Sequence, residues 1–431
     1  MLWQVTVLQS LTVLRRLKFT NLGKVYDIAI IGGGAAGLYA AAALSSYNSE
    51  KGRLDVILLE KMHRCGLKIG ITGKGRCNLT NTKPWNEFST HIHPKNIFLK
   101  NSFYAMGNTG VMEFFEGIGL PLVVERGDRV FPQSMKALDV VAALERHIIS
   151  GGIEIRKNTP VTKVEHLPDN FIIETESGAK VHSRAVIVAT GGMSYPTTGS
   201  SGDGYEFAKG LGHKITPCFP SLTALKPKNY REEYHGISLK NVSVQLVVNG
   251  DVVQEEFGDL DFTNGGIEGP IGFKVSRKGV HSIINGQKVE LRLDMKPAVS
   301  LKQLQERIVR EAKEVKGDQL KGVLPKLLPA RLVKIFLQEN KGVSLANLHQ
   351  ALKCWSFPIT GYVGYERFVV TAGGVSLQEV SQKTMESKLV KGLFFAGELL
   401  DLDGDTGGYN LQIAFSTGAM AARSAITGIT R

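Results

Sequence analysis

The first clear pattern along the chain is "YDIAII" (26–31), a nearly unbroken apolar run of the kind that forms a strand buried on both faces. Three glycines follow, and residues 35–46, rich in alanine, read as a helix. "RLDVILLE" then predicts a second strand ending at Glu60, which completes a β-α-β unit and calls for a parallel sheet. Residues 61–83, "KMHRCGLKIGITGKGRCNLTNTK", keep neither helical nor strand period and read as a Gly-rich polar loop. Helical spacing returns near 108–118 and 136–149. Short strands are expected at 160–166, 171–176 and 180–183, divided by "PDN" and "SGA", as a small antiparallel layer. "AVIVATGG" would then return the chain to the parallel sheet, ending at Gly192.

Near residue 195 the period changes. "VSVQLVVNGDVVQEE" alternates β-branched residues on both sides of Asn249-Gly250, a two-residue hairpin signal, and "KVELRLDM" adds a strand. Residues 301–353 are helical, with Pro325 and Pro329 expected to break them, and "LKQLQERIVREA" has the spacing of a packed core face. The end of the chain returns to strand, turn and helix with "GLFFAGELLDLDGDTGGYNLQIAFSTGAMAARSA". The fold class is therefore α/β: a discontinuous Rossmann-like nucleotide-binding domain over 25–194 and 361–431. It is interrupted by an inserted β-rich domain (195–299 and 350–360) and a small helical domain (300–349), with residues 1–24 as an N-terminal extension.

Composition adds three constraints. A chain of 431 residues needs more than one core. Its four cysteines, Cys65, Cys77, Cys218 and Cys354, form no C-x-x-C pair, which argues against a disulfide framework and for a reducing, cytoplasmic setting. Four charges of the net +12 lie in the first 24 residues; with no run of five basic residues, the remainder is expected to be thinly spread around a phosphate-bearing cofactor. The leader "MLWQVTVLQSLTVLRRLKF" has its positive charges after its apolar stretch, the reverse of a signal peptide, and is read as a loosely ordered extension or misassigned start. No stretch reaches transmembrane length, so no membrane partner is expected.

Gly32, Gly34 and Gly37 satisfy G-x-G-x-x-G between a strand and a helix. Gly32 permits the sharp exit from the strand, Gly34 lets a pyrophosphate approach the backbone, and Gly37 allows close packing of helix on sheet. The helix start at Ala35 and Ala36 offers free N–H groups and a favourable dipole to the phosphates. Glu60, 23 residues after Gly37, would accept hydrogen bonds from a ribose diol and repel a 2′-phosphate, with Lys61 beside it. FAD is favoured over NAD on three counts. Ala189, Thr190 and Gly191 end a later strand where backbone must pass near a nucleotide. A second glycine-rich helix start follows Gly397 and Glu398, at Gly408, with Asn410 as N-cap, and its dipole would stabilise charge on a reduced flavin. The two ends of the chain would then enclose one ligand.

The motifs "TGKGRCNLTN" (72–81), "RVFP" (129–132), "ATGGMSYPTTGSSGDGY" (189–205) and "GELLDLDGDTGGYNLQ" (397–412) resemble the bacterial aminoacetone-oxidase-like family of FAD-dependent oxidoreductases, related to bile-acid Δ4,6-reductases. The resemblance spans residues 25–431. It implies FAD contacts at Ala36, Glu60, Leu67, Lys68, Val161, Glu398, Asn410 and Leu411. The chain departs from the family in "LDFTNGGIEGP", where Asn264 and Glu268 replace a His and a Ser, which puts the substrate of relatives in doubt here.

In "TGKGRCN", Gly73, Arg76, Cys77 and Asn78 would lie over the flavin, with Arg76 or backbone N–H groups polarising it; the blander alternative is a surface loop. Cys77 reads as an inert, partly buried thiol. His91 and His93 share a strand face without an acid at useful spacing, so no metal site is expected. Tyr195 and Asp203 are either a proton donor and anchor near the substrate or local loop-capping residues. No catalytic acid or base is assigned. The function expected is a flavoenzyme transferring hydride between FAD and a small organic substrate (amine, ketone or enone), with NAD(P)H as a transient donor. An RNA-modifying flavoprotein acting on tRNA is the rival, and a flavin-bearing protein without turnover the third reading; no stable nucleic-acid partner is expected.

Overall fold

A computed structural model describes residues 24–430 and divides the chain into two units, one formed by residues up to Cys218 together with those from Gly373, the other by Phe219–Ala372. The expectations for residues 1–24 lie outside the described residues, apart from Lys24. In the first unit, β1 (Val25–Ile31) leads through the glycines into α1 (Ala35–Glu50), and β2 (Val56–Leu59) lies parallel to β1. A short helix at Leu67–Ile71 and a turn at Thr72–Gly75 give structure to a segment expected to be all loop. Two ten-residue helices, Asn96–Ala105 and Asn108–Gly117, come before the longer α2 (Ala137–Ser150), and β3 (Glu154–Arg156), β4 (Val161–His166), β5 (Phe171–Thr175) and β6 (Lys180–Val188) follow.

The expected strands 180–183 and 185–192 are one strand. β6 is nine residues long; its first half pairs antiparallel with β5, and it runs parallel to β1 from His182 to Val188. The antiparallel pieces thus extend the parallel sheet instead of forming a separate layer. Its order is β3-β2-β1-β6-β5-β4. Beyond it, α3 (Asp203–Gly210) belongs to the first unit because Gly204 packs against Thr190 and Leu399; a Cβ at Gly204 would lie 2.0 Å from the Thr190 hydroxyl oxygen. The unit boundaries fall at 218/219 and 372/373, where the sequence pattern suggested 194/195 and 360/361.

The second unit is built on a closed barrel. Around it run β7 (Leu225–Pro227), then β10 (Gly266–Glu268), β9 (Asp251–Thr263), β8 (Ile237–Val248), β11 (Val289–Asp294) and β12 (Trp355–Tyr362), which pairs back to β7. Asn249 (φ +51°) and Gly250 (φ +101°) form the tight β8–β9 turn that their sequence announces. The helix α4 (Gly269–Ile284) packs on the barrel through Ile271, Val275 and Val280.

Four helices sit between β11 and β12: α5 (Leu301–Lys313), α6 (Gln319–Leu327), α7 (Ala330–Glu339) and α8 (Leu348–Lys353). Pro325 does not break a helix; it lies inside α6, near the end, where one lost backbone bond is tolerated, and Pro329 marks the start of α7. The positive charge is not thinly spread either. Residues 301–353 carry eleven Lys and Arg against five Asp and Glu, net +6, half of the chain's total of +12.

The chain then returns to the first unit. β13 (Leu393–Phe395) runs parallel to β6, and α9 (Tyr409–Thr430) packs along α1. Among the described residues no helix is long and apolar enough to cross a membrane.

Candidate functional site: two helix mouths around one groove

Gly32 leaves β1 with φ +102°, and a Cβ there would lie 2.7 Å from the Ala189 carbonyl oxygen. Gly37 is tighter still: its Cβ would stand 1.9 Å from the Gly32 carbonyl oxygen. Around Gly34, by contrast, no atom lies within 4 Å of a Cβ position. Gly34 is also the N-cap of α1 and supplies no side-chain cap, so the first-turn N–H groups face that space without a side-chain partner there. Two glycines therefore serve packing and one leaves room, as a pyrophosphate requires.

Glu60, only 7% exposed, receives the Gly33 N–H on one oxygen at 2.7 Å and the Met62 N–H on the other at 2.7 Å. Burial pushes its carboxyl above the usual range, opposed by those N–H bonds and by Lys61. Each oxygen keeps a lone pair for a ribose hydroxyl. The segment leading into Val161 runs alongside, with Thr159 N–H donating to the Glu60 carbonyl at 2.9 Å and Asn158 N–H to that of Met62 at 3.0 Å. The start of β4 at Val161 is thereby held close to Glu60.

Two lysines reach across. Lys61 pairs with Asp203 at 2.7 Å and contacts Ser201. Lys68, next to Leu67 on the short helix, pairs with Glu398 at 2.5 Å and contacts Ser194, whose hydroxyl donates to Glu398 at 2.9 Å. Asp203, considered as a substrate anchor or a local loop residue, is engaged by Lys61 and accepts from the Ser201 hydroxyl at 2.7 Å. Tyr195, at φ +52°, has its carbonyl capped by the Thr198 N–H and hydroxyl, each at 2.8 Å. Between these lysines and the cradle, Ala189 N–H donates to Ile31 at 2.8 Å and Gly191 turns at φ +76°. The buried hydroxyl oxygen of Thr190 has no hydrogen-bond partner among the described residues and packs against Gly204 of α3.

The carboxy-terminal helix joins the same place. A Cβ at Gly397 would lie 2.7 Å from Ala36 Cβ, and one at Gly418 only 2.4 Å from the Ala36 carbonyl oxygen. The start of α1 at Ala36 thus packs against the turn at Gly397 and against Gly418 in the middle of α9, and glycine is what lets them meet. Gly408 (φ +98°) lies against Thr80, where a Cβ would approach the carbonyl oxygen to 2.4 Å. Asn410 is not an N-cap. α9 begins one residue earlier, and the Asn410 amide donates to Gly404 at 2.7 Å and accepts its N–H at 2.8 Å, tying down the preceding loop. Leu411 follows, half-buried, against the main core.

The "TGKGRCN" loop borders that mouth. Gly73 (φ +57°), Lys74 (φ +58°) and Gly75 (φ +85°) make a rare left-handed run, and Cys77 (φ +60°) turns the same way after Arg76 (φ −95°). Oriented as its surroundings require, the Asn78 amide donates to Thr80 and Val130 and accepts the Gly408 N–H at 3.1 Å, so this loop and the helix mouth are one construction. Arg76 is held by Glu125 at 3.1 Å and lies 4.5 Å over the Phe131 ring. Cys77 is fully buried, and burial pushes its thiol up to about 12, which makes it inert.

Two features had not been anticipated. Gln412, one turn into α9 and fully buried, accepts from Thr80 at 2.6 Å and donates to the Met106 carbonyl at 3.1 Å. Its signal was a lone amide within an apolar helix. His91 and His93 find their acid in Asp405, at 2.8 and 3.3 Å, and the His91 ring stacks on Tyr409 at 4.4 Å. Burial works to raise the Asp405 carboxyl, but the two imidazoles outweigh it and pull it down to about 2. The residues Asn264 and Glu268 lie in the other unit; Asn264 accepts from Arg367 at 2.8 Å and Glu268 ends β10.

Open space before one helix start, a buried carboxylate just after β2 and a second glycine-rich helix start in the same unit suit a Rossmann-type dinucleotide flavoprotein, and the residues fit FAD. Residues 26–424 match the HI0933-like protein Rossmann domain, and the chain belongs to that family of FAD-dependent oxidoreductases. It is similar to a 3-dehydro-bile acid delta(4,6)-reductase from Clostridium scindens, 32% identical over 414 residues, covering 92% of this chain and 98% of that one. It is likewise similar to ribosomal RNA dihydrouridine synthases. The Haemophilus influenzae protein is 30% identical with 92% of this chain and 97% of that one covered, and that of Escherichia coli 30% identical with 93% and 98% covered.

Proposed function

We propose that this enzyme saturates a ring carbon–carbon double bond conjugated to a carbonyl. The observation that carries this is chemical. A Δ4,6-reductase of a 3-dehydro bile acid and a dihydrouridine synthase both reduce such a bond, and this chain is about equally similar to both over nearly its whole length. FAD, when bound, supplies the hydride, and NADH or NADPH supplies the electrons to FAD; a proton from solvent or an acid completes the addition.

The chain's own residues provide the setting. Gly34 and the start of α1 hold the pyrophosphate, with Lys68 the nearby cation. Glu60 and the Val161 backbone hold the adenosine end. The Gly408–Leu411 mouth and the 73–78 loop frame the reacting end, where the α9 dipole favours negative charge. The first reading of the substrate is a free small ring enone. The second, a uridine within RNA, is favoured by the two dihydrouridine synthases and by the charge gathered on residues 301–353.

The test is anaerobic. The purified yellow protein is reduced with NADH or NADPH, and a 3-oxo-4-ene steroid or uridine-containing RNA is then added. Re-oxidation of the flavin with a product two mass units heavier is expected from one of them; if no ring enone of either kind restores the yellow colour, the proposal fails.

A further inference from the structure

Helix α5 turns its apolar side, Leu304, Ile308 and Ala312, into the core of its unit. The helical period places Lys302, Arg310 and Lys313 on the opposite, exposed side with Glu306, and Lys316 follows just beyond the helix. Neighbouring basic residues are neutralised. Arg307 and Lys326 pair with Glu311 at 3.7 and 2.7 Å, and Lys321 pairs with Asp318 at 3.3 Å. Among the described residues, Lys302, Arg310, Lys313 and Lys316 form no ion pair or side-chain hydrogen bond, and Lys334 and Lys341 add two more such cations to the same segment.

This pattern has a cost that a solvated face does not explain. Arg310 and Lys313 stand three residues apart on α5, a spacing at which like charges repel, and Lys316 adds a third cation just beyond the helix; Glu306, four residues from both Lys302 and Arg310, offsets this only in part. The rest of the chain is nearly balanced: outside residues 1–24 (net +4) and 301–353 (net +6), the excess is only +2. A row of unpaired cations on a rigid helix is relieved by a polyanion, whose condensed counterions are released on binding. A membrane surface is a poorer fit, since an interfacial helix offers a broad face of large apolar residues to the lipid, and on α5 only Leu301 and Val309 are exposed while Leu304, Ile308 and Ala312 are buried.

We propose that the exposed face of α5, continued by Lys316, is a docking surface for the phosphate backbone of RNA. This rests on the second substrate reading above and adds to it where on the chain the nucleic acid is held. No base is read by this face; it supplies affinity and position, and sequence selection lies elsewhere.

The test uses the FAD-loaded full chain and fluorescein-labelled fragments of ribosomal RNA, followed by anisotropy over a salt series. Two variants carry the same change in net charge. One is Lys302→Glu with Arg310→Glu, Lys313→Glu and Lys316→Glu. The other is Lys51→Glu with Lys100→Glu, Lys136→Glu and Lys391→Glu, exposed lysines of the other unit. Wild type is expected to bind with strong salt dependence. The α5 variant should bind at least about tenfold more weakly, with the slope of log K against log salt reduced by about 3, while the control changes less than about threefold.

Equal loss in both variants would reduce the effect to net charge and overturn the surface. So would the absence of salt-dependent RNA binding by wild type, or capture by phosphatidylglycerol vesicles in place of RNA. Flavin re-oxidation by a free ring enone is measured on the same samples. If it matches wild type in both variants while docking fails, the surface is wrong and the reaction stands. If no enone, free or in RNA, re-oxidises the flavin, the reaction reading falls whatever the RNA does.

Discussion

Gly34 and Gly37 are three residues apart in one motif, and substituting each by alanine separates binding from packing. At Gly37 the new Cβ would lie 1.9 Å from the Gly32 carbonyl oxygen, more than 1 Å inside any tolerable contact, and the obstacle is backbone on both sides. Relief requires α1 to move away from β1, at the point where Gly418 already brings α9 onto Ala36. Overpacking ordinarily costs about 1–3 kcal/mol, and a clash with backbone belongs at or above the upper end, so about 3 kcal/mol is expected. In a unit of this size that is a fall in Tm of roughly 6–12 °C in the FAD-free protein.

Gly34→Ala behaves differently. The position has φ −81° and open space around its Cβ, so the FAD-free protein should lose no more than about 1 kcal/mol, the usual preference for glycine over alanine at an N-cap. The methyl group does, however, occupy the room intended for the pyrophosphate. Loss of one close phosphate approach should weaken FAD by at least about tenfold, or about 1.4 kcal/mol. Calorimetry of the stripped protein gives the first quantity, and titration of FAD by quenching of its fluorescence the second. Wild-type FAD affinity in Gly34→Ala would refute the cradle; wild-type thermal stability in Gly37→Ala would refute the helix–sheet contact.

Three further outcomes are expected. Asp405→Asn should destabilise the protein by about 2 kcal/mol near neutral pH, because the native carboxyl is held below its unfolded value of 3.8 at about 2. That stabilisation is present above pH 3.8 and lost as pH falls through 2, so the wild-type advantage in urea unfolding should shrink across that window. In native protein a thiol reagent at pH 8 should label Cys354, which is exposed, and spare Cys65 and Cys77, both buried and both pushed up to about 12; rapid labelling of Cys77 would contradict its burial. Lys68→Met should leave Glu398, its ion-pair partner, without its cation and is expected to raise the Kd for FAD by about tenfold, readable by the same fluorescence titration.

Much of the first unit can be read in the chain because its signals are local. The run at 26–31, the three glycines and Glu60 each act within about 30 residues, so strand, turn, helix and ribose acid follow from spacing and period. The Asn249-Gly250 turn is local in the same sense. What escapes such a reading joins residues hundreds of positions apart. Asp405 reaches His91 and His93, Gln412 reaches Thr80, and Glu398 reaches Lys68 only once α9 lies along α1. Asn410 looks like a helix cap from its neighbours, yet its amide is claimed by Gly404, because the loop before α9 is folded back by the pairing of Asp403 with His93.

Charge follows the same division. The sequence alone establishes that eleven cations meet five acids in residues 301–353, but pairing in three dimensions decides which of them are neutralised. By itself, then, the sequence determined the dinucleotide class, its strand-turn-helix grip and the family, since backbone geometry at a few glycines admits no other side chain. The tertiary structure decided that the barrel closes, that the start of α1 packs at Ala36 against Gly418 in the middle of α9, and which polar groups are spent on the fold. The reason is physical: steric freedom at a glycine is a property of one residue, whereas satisfying a buried charge or amide needs a partner that only folding delivers.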